Sequence, residues 1–279
     1  MANTSSTIRS IYQGPMRSLD QLGQELSFFV RALAATPRTI VHYKKEIVRL
    51  LAEVALGSGA LAVIGGTVGV ILGLTFFTGT EVGLQGYAAL NQLGTAAFSG
   101  FVSAYFNTRE IAPLVAGIGL AATVGCGFTA QLGAMRISEE VDALEVMAVP
   151  SLPFLVTTRI IAGLIAIIPL YVVGLFSSYF ATRLTVTKFF GQSPGTYDHY
   201  FNEFLPPGDV LWSFGKVLIF AVVVILIHCY HGYHASGGPA GVGVAVGRAV
   251  RTSIVAINVI DLFLSMAIWG TTTTVRLAG

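Results

Sequence analysis

The residues most capable of chemistry in this chain are few and scattered. Arg109 and Glu110 are adjacent, with Pro113 three positions on, inside an otherwise apolar region. An ion pair at such a place is costly and usually functional. The pair could line a substrate path, brace a helix break or act as an interfacial anchor. Asp261 stands alone in an apolar stretch, with Asn258 one turn earlier. Its carboxylate should face protein or water. A proton relay is one reading, and a structural partner such as Arg248 or a backbone group is the other. His228, His231 and His234 recur every three residues, but no nearby carboxylate completes a zinc set, so no metal site is expected. The glycines of 237–247 lack the Lys-Ser/Thr of a phosphate-binding loop, and neither G-x-S-x-G nor H-E-x-x-H occurs. No catalytic residues are expected, and the chain is not read as an enzyme.

A second cluster is acidic. Ser138 is a good helix N-cap, followed by Glu139 and Glu140, which suit a positive helix end. Ile137, Val141, Leu144 and Ala148 fall on one face, bordered by Asp142 and Glu145, and Pro150 ends the segment. This predicts a short amphipathic helix tied between two spans. It is either a solvated linker or a docking element whose displacement moves both spans.

Those residues need a membrane scaffold. Of the 279 residues, 54% are hydrophobic and 11% charged, and mean hydropathy is +0.74. A soluble domain carries about 25% charged residues. Lipid must therefore be the solvent for much of the surface. The fold class expected is an all-α integral membrane protein, with no nucleic-acid partner. Residues 1–18 read as a flexible N-terminus. Residues 19–43 read as an amphipathic interfacial helix, with Leu19, Leu22, Leu26, Phe29 and Leu33 at helical spacing among polar residues.

Five spans are predicted near 51–77, 111–134, 154–181, 210–230 and 252–275. Residues 78–85 read as a turn and 86–106 as a partly inserted helix. Residues 182–209 and the Gly-rich 231–251 read as loops. Gly65, Gly69 and Gly73 form a ridge of small residues that lets helices approach closely. Cys126 and Cys229 lie in or beside apolar segments and read as core residues. Arg9, Arg17, Arg31, Arg38, Lys44, Lys45 and Arg49 crowd the N-terminal region. By the positive-inside rule this places the N-terminus in the cytoplasm and the C-terminus outside.

The stretch from Thr108 to Ile160, TREIAPLVAGIGLAATVGCGFTAQLGAMRISEEVDALEVMAVPSLPFLVTTRI, resembles the signature block of the MlaE/YrbE permease family. GGPAGVGVAVGRAVRTSIVAINVIDLFLS resembles that family's second block, which also places an Asp in the last span. The resemblance covers about residues 20–277 and makes 19–279 a single permease domain. It is most similar to the YrbE permeases of actinobacterial Mce systems.

The resemblance implies a permease subunit of an ABC-type lipid transporter in the cell (inner) membrane. It implies a second YrbE-type subunit, an Mce-type cytoplasmic ATPase that holds the ATP and Mg, extracytoplasmic Mce proteins, and membrane lipids as substrate. No cofactor is expected on this chain. The family's coupling helix maps onto Glu139, Glu140, Val141, Asp142, Leu144, Glu145 and Met147. Two positions depart from the family pattern: Gln131 stands where many relatives have Glu, and Ser151 replaces the usual Asp-Pro pattern.

Overall fold

The computed structural model describes residues 23–56 and 66–270, and helix is the regular structure throughout them. Residues 23–34 (α1), Thr36–His42 (α2) and Lys44–Leu56 (α3) precede five long apolar helices. These are Thr67–Gln92 (α4), Ala96–Ile137 (α5), Pro153–Phe189 (α7), Pro207–Tyr233 (α9) and Gly238–Trp269 (α10). Two short helices lie between them, Glu140–Val146 (α6) and Pro194–Glu203 (α8). Each long helix exceeds the roughly 20 residues that cross a hydrocarbon core. The chain is thus an all-α membrane protein with five candidate spans.

Several boundaries differ from the sequence-based expectation. Among the described residues the first candidate span is α4; of the expected 51–77 span, residues 57–65 lie outside the described residues. The expected turn at 78–85 lies inside α4. Gly79 and Gly83, inside that stretch, are contact residues against α7. A Cβ at Gly79 would lie 2.5 Å from the Ser178 carbonyl oxygen of α7. Thr182 donates to the Gly79 carbonyl at 2.7 Å. Small residues in lipid mark close helix approach as often as a break. Of the expected glycine ridge, Gly65 lies outside the described residues. Gly73 has open space where a Cβ would stand, so it makes no close packing within this chain.

The expected partly inserted helix and second span are one unbroken 42-residue helix, α5. Pro113 does not break it. The π-helical stretch Ser103–Ile111 precedes that proline and absorbs its missing N–H and its bulk. The expected 231–251 loop is also mostly helix. Only His234–Gly237 separate α9 from α10, and Gly237 and Gly238 make the reversal with φ of +88° and +69°. The polar 182–209 segment holds the end of α7, then α8. Residues 271–275, the end of the fifth expected span, lie outside the described residues.

The core sits where α4, α5, α7, α9 and α10 meet, around Ile71, Leu120, Ile160, Ile167, Phe220, Ile225 and Ile257, all essentially inaccessible. Of the expected 19–43 helix, the described part is two helices that meet at Ala35. α1 buries Phe28 and Ala32 against the end of α9, with the Phe28 ring 5.4 Å from Tyr230. Its opposite edge leaves Leu26, Val30 and Leu33 exposed. That outward apolar stripe fits a helix lying in an interface. The chain's alternating direction puts α1–α3, α6 and the α9–α10 reversal at one end of the bundle. α8 and the α4–α5 connection are at the other.

Candidate functional site

At the α8 end, three helices converge on a buried ionic network. α9 supplies Asp209 in its first turn, where a carboxylate suits the positive helix end. Lys216 follows two turns later on the same face, and its side chain is fully buried. α10 supplies Asp261, Ser265 and Trp269 at i, i+4 and i+8, one stripe down a helix. α5 supplies Arg109 and Glu110 from its π-helical stretch.

Lys216 Nζ is the hub. It lies 2.6 Å from Asp261 Oδ1 and 3.4 Å from Glu110 Oε2. It donates to the Arg109 carbonyl at 2.7 Å and to Ser265 Oγ at 2.8 Å. Ser265 in turn donates to Glu110 Oε1 at 2.8 Å. Arg109 forms a separate arm: its Nε donates to Asp209 Oδ2 at 2.7 Å, and its guanidinium lies 4.1 Å over the Tyr105 ring. Trp269 Nε1 closes the arm on Asp209 Oδ1 at 2.9 Å.

Arg109 and Glu110 are therefore not paired with one another. Successive helix residues diverge by about 100° and cannot face. Each has a partner on another helix. Asp261 is likewise not held by Arg248 or a backbone group but by Lys216. The residues that sequence reasoning passed over are Tyr105, Asp209, Lys216, Ser265 and Trp269. Lys216 carried the available signal, a lone cation inside an expected span. Chemically, the network holds three carboxylates around two cations, and Glu110 remains one-third exposed. It can offer a charged or hydrogen-bonding contact to a polar group at the bundle end. It contains no activated nucleophile.

At the opposite end, α6 is folded onto the bundle. Ser138 is not its N-cap. Ser138 Oγ donates back to the Ala134 carbonyl at 3.0 Å, and Glu139 stands at the N-cap in a left-handed conformation, φ +63°. Val141 is buried, and Leu144 packs on the core. Arg136 pairs with Asp142 at 2.6 Å. Ser151 Oγ donates to Glu145 Oε1 at 2.7 Å and lies 2.7 Å from the Tyr233 hydroxyl, which ties α6 to α9. That leaves Glu139, Glu140, Val146 and Met147 as its outward edge, with Val146 88% exposed.

Close by, the Gln131 amide spans two charges. It donates to Glu53 Oε1 and accepts from Arg159 at 3.1 Å. Arg159 also donates to the Leu155 carbonyl at 2.7 Å and is buried.

The three histidines diverge. His228 is buried, with Nδ1 2.8 Å from Thr129 Oγ1 and Nε2 3.3 Å from Ser253 Oγ. His234 packs its ring 4.4 Å from Tyr230. Among the described residues no three His, Cys, Asp or Glu side chains converge as metal ligands. Cys229 is buried and Cys126 half-buried, both as free thiols.

Comparison with known proteins gives a consistent result. The family model described as Permease MlaE matches residues 57–267. A probable ABC transporter permease protein of Rickettsia bellii is 28% identical over 256 residues, covering 92% of this chain and 95% of the relative. Protein TRIGALACTOSYLDIACYLGLYCEROL 1, chloroplastic, of Arabidopsis thaliana is 30% identical over 203 residues, covering 71% and 57%. The intermembrane phospholipid transport system permease protein MlaE of Haemophilus influenzae is 28% identical over 202 residues, covering 72% and 77%.

Proposed function

The chain belongs to the MlaE permease family, and on that premise we propose that it is the membrane-spanning permease subunit of an ABC-type lipid transporter. As a member of a permease family it is a transport subunit and not an enzyme. In this reading a separate cytoplasmic ATPase, carrying ATP and Mg, docks on the outward edge of α6. A second permease subunit of the YrbE type completes the membrane pathway. Extracytoplasmic Mce-type proteins continue it, as the likeness to actinobacterial Mce systems suggests. The substrate is a hydrophobic lipid (a fatty acid, sterol or phospholipid), moved inward.

The observation that carries the reading is the continuity of α5. One helix bears Arg109 and Glu110 about a third of the way along and joins α6 at its far end through only Ser138 and Glu139. An element pushed at α6 is thus covalently part of the ionic network across the bundle. Cationic residues favour the same orientation. Arg31, Arg38, Lys44, Lys45, Arg49, Arg136, Arg248 and Arg251 belong to the α6 end, which by the positive-inside rule supports a cytoplasmic side for that end and the N-terminus, in the cell (inner) membrane. The C-terminus is then extracytoplasmic.

The alternative uses Glu110 and Asp261 as proton carriers, in a proton-coupled lipid carrier or an intramembrane lipid-modifying enzyme. Lys216 speaks against it, since a buried cation stands as counter-ion 2.6 Å from Asp261 and 3.4 Å from Glu110. The test is lipid uptake by proteoliposomes holding this chain with its sister permease and ATPase. Uptake that requires ATP and survives a proton uncoupler supports the ABC reading. Uptake abolished by the uncoupler overturns it.

A further inference from the structure

A polar cavity of about 550 Å³ opens at the α6 end of the bundle, between α1, the last turn of α9 and the start of α10. Its size suits a small ligand or headgroup. Its lining is electrostatically two-sided. On the α10 side, His231 and Arg248 are electrostatic neighbours. On the α1 side, Glu25 is the neighbour of His234, and Tyr230 lies between. Arg248 makes no ion pair or hydrogen bond among the described residues, and it is exposed to the cavity mouth. His234 Nδ1 donates to the Tyr230 carbonyl at 2.9 Å, which leaves Nε2 available.

The depth of this cavity follows from helix length. α10 has 32 residues, about 48 Å at 1.5 Å per residue. The hydrocarbon core is about 30 Å thick. With Trp269 near the far interface, where such rings concentrate, roughly the last 20 residues of α10 fill the core. Arg248 then stands at the near boundary, at the level of lipid headgroups. Val244 is an exposed apolar side chain in the same lining, suited to the first carbons of acyl chains.

An arginine with an imidazole N–H beside it, an acid and an aromatic face at headgroup depth match one class of ligand. We propose that this cavity binds a zwitterionic phospholipid headgroup, its phosphate held by Arg248 and His231 and its ammonium by Glu25 and the Tyr230 ring. Phosphate on arginine is a charge-assisted hydrogen bond, and ammonium over tyrosine is a cation–π contact. A purely anionic headgroup would satisfy Arg248 but meet Glu25 unfavourably. The bound lipid would pin α1 to the bundle. On α10 the site's Arg248 stands 13 residues before the network's Asp261, about 20 Å along the helix, and the site does not rest on the transport reading.

The test uses the intact protein in detergent and native mass spectrometry. The probes are phosphatidylethanolamine, phosphatidylglycerol with the same acyl chains, and inorganic phosphate. The wild type should retain the ethanolamine lipid about tenfold better than the glycerol lipid, the effect of one charge-assisted contact. Glu25→Gln should remove that preference, and Arg248→Gln should weaken both lipids. Inorganic phosphate should not displace either. Equal retention of the two lipids by the wild type overturns the proposal. So does unchanged retention in Arg248→Gln, or displacement by phosphate alone, which marks a simple anion site. Glu110→Ala should leave the preference intact; its loss there would assign the lipid to the ionic network and overturn the proposal.

Discussion

Lys216 Nζ lies 2.6 Å from Asp261 Oδ1, and this contact joins α9 to α10 inside the bundle. The lysine is fully buried and its aspartate side chain is 9% exposed. Removing one member of a buried pair costs about 3–5 kcal/mol, because the other charge stays uncompensated. Lys216→Met should therefore lower the unfolding free energy by about that much, read from denaturant unfolding in detergent. Lys216→Met with Asp261→Leu should recover more than half of the loss. No recovery in the double variant would show that the packing of the lysine stem, and not its charge, dominates.

Glu110 is the partly exposed member of the network. Its replacement by alanine leaves Lys216 with Asp261 as counter-ion. Glu110→Ala should assemble normally with partner subunits but transport lipid at least about tenfold more slowly, the effect of one lost charged hydrogen bond. Assembly is followed by co-purification and transport by uptake into proteoliposomes. Normal uptake would reduce this residue to a structural role.

The outward edge of α6 gives a different kind of prediction. Glu139 and Glu140 are exposed and unpaired with any cation, whereas Asp142 is held by Arg136. Charge reversal at Glu139 and Glu140 should lower ATPase co-purification several-fold. Reversal at Asp142 alone should do less, because Arg136 already screens it. Electrostatic docking of this kind weakens with salt. Equal ATPase recovery at low and high salt would rule out an electrostatic contact.

Close packing of α4 on α7 is tested at its glycines. A Cβ at Gly79 would meet the Ser178 carbonyl oxygen at 2.5 Å and its Cα at 2.8 Å. Gly79→Ala should destabilise by about 1–3 kcal/mol through overpacking. Gly73 has nothing within 4 Å, so Gly73→Ala should change monomer stability by less than about 0.5 kcal/mol. If Gly73→Ala instead disrupts association with a second subunit, the glycine ridge acts between chains.

α8 carries a pH-dependent tether. Arg183 Nε and its second nitrogen each donate to Asp198 at 2.8 Å, and this hydrogen bonding holds the Asp198 carboxyl below its ordinary value. A carboxylate with a depressed folded-state value adds stability above its unfolded value, about 4, and loses it as pH falls through the folded one. Asp198→Asn should thus be slightly less stable than wild type at neutral pH, and the two should converge below pH of about 4. Both side chains are nearly half exposed, so the difference is small.

The class of fold and the number of apolar helices were legible in the sequence because lipid leaves a strong compositional mark. Their ends were not. Gly79, Gly83 and the glycines of 238–247 are small because helices pass close there or because the chain reverses, and the same residues signal loops in water. Arg109, Glu110 and Asp261 were legible as functional candidates, since charge in an apolar segment is conspicuous. Their partners were not. Pairing of Arg109 with Asp209, and of Lys216 with Asp261, spans 100 and 45 positions of sequence and is fixed only when α5, α9 and α10 meet. The acidic helix was legible as an element, but it is shorter than expected, Glu140–Val146, and its capping depends on a left-handed Glu139 that no propensity favours.

The placement of Gly117 gives α5 a mechanical property. It lies 21 residues after Ala96 and 20 before Ile137, the ends of the helix. There a Cβ would touch Phe220 at 3.3 Å and Ile257 at 3.4 Å, so both α9 and α10 lie against the rod at its midpoint. Each arm is about 30 Å long at 1.5 Å per residue. A rod that rocks about such a central contact is a balanced lever. A tilt that carries the Ile137 arm one way carries the Ala96 arm an equal distance the other way, with neither gain nor loss of stroke.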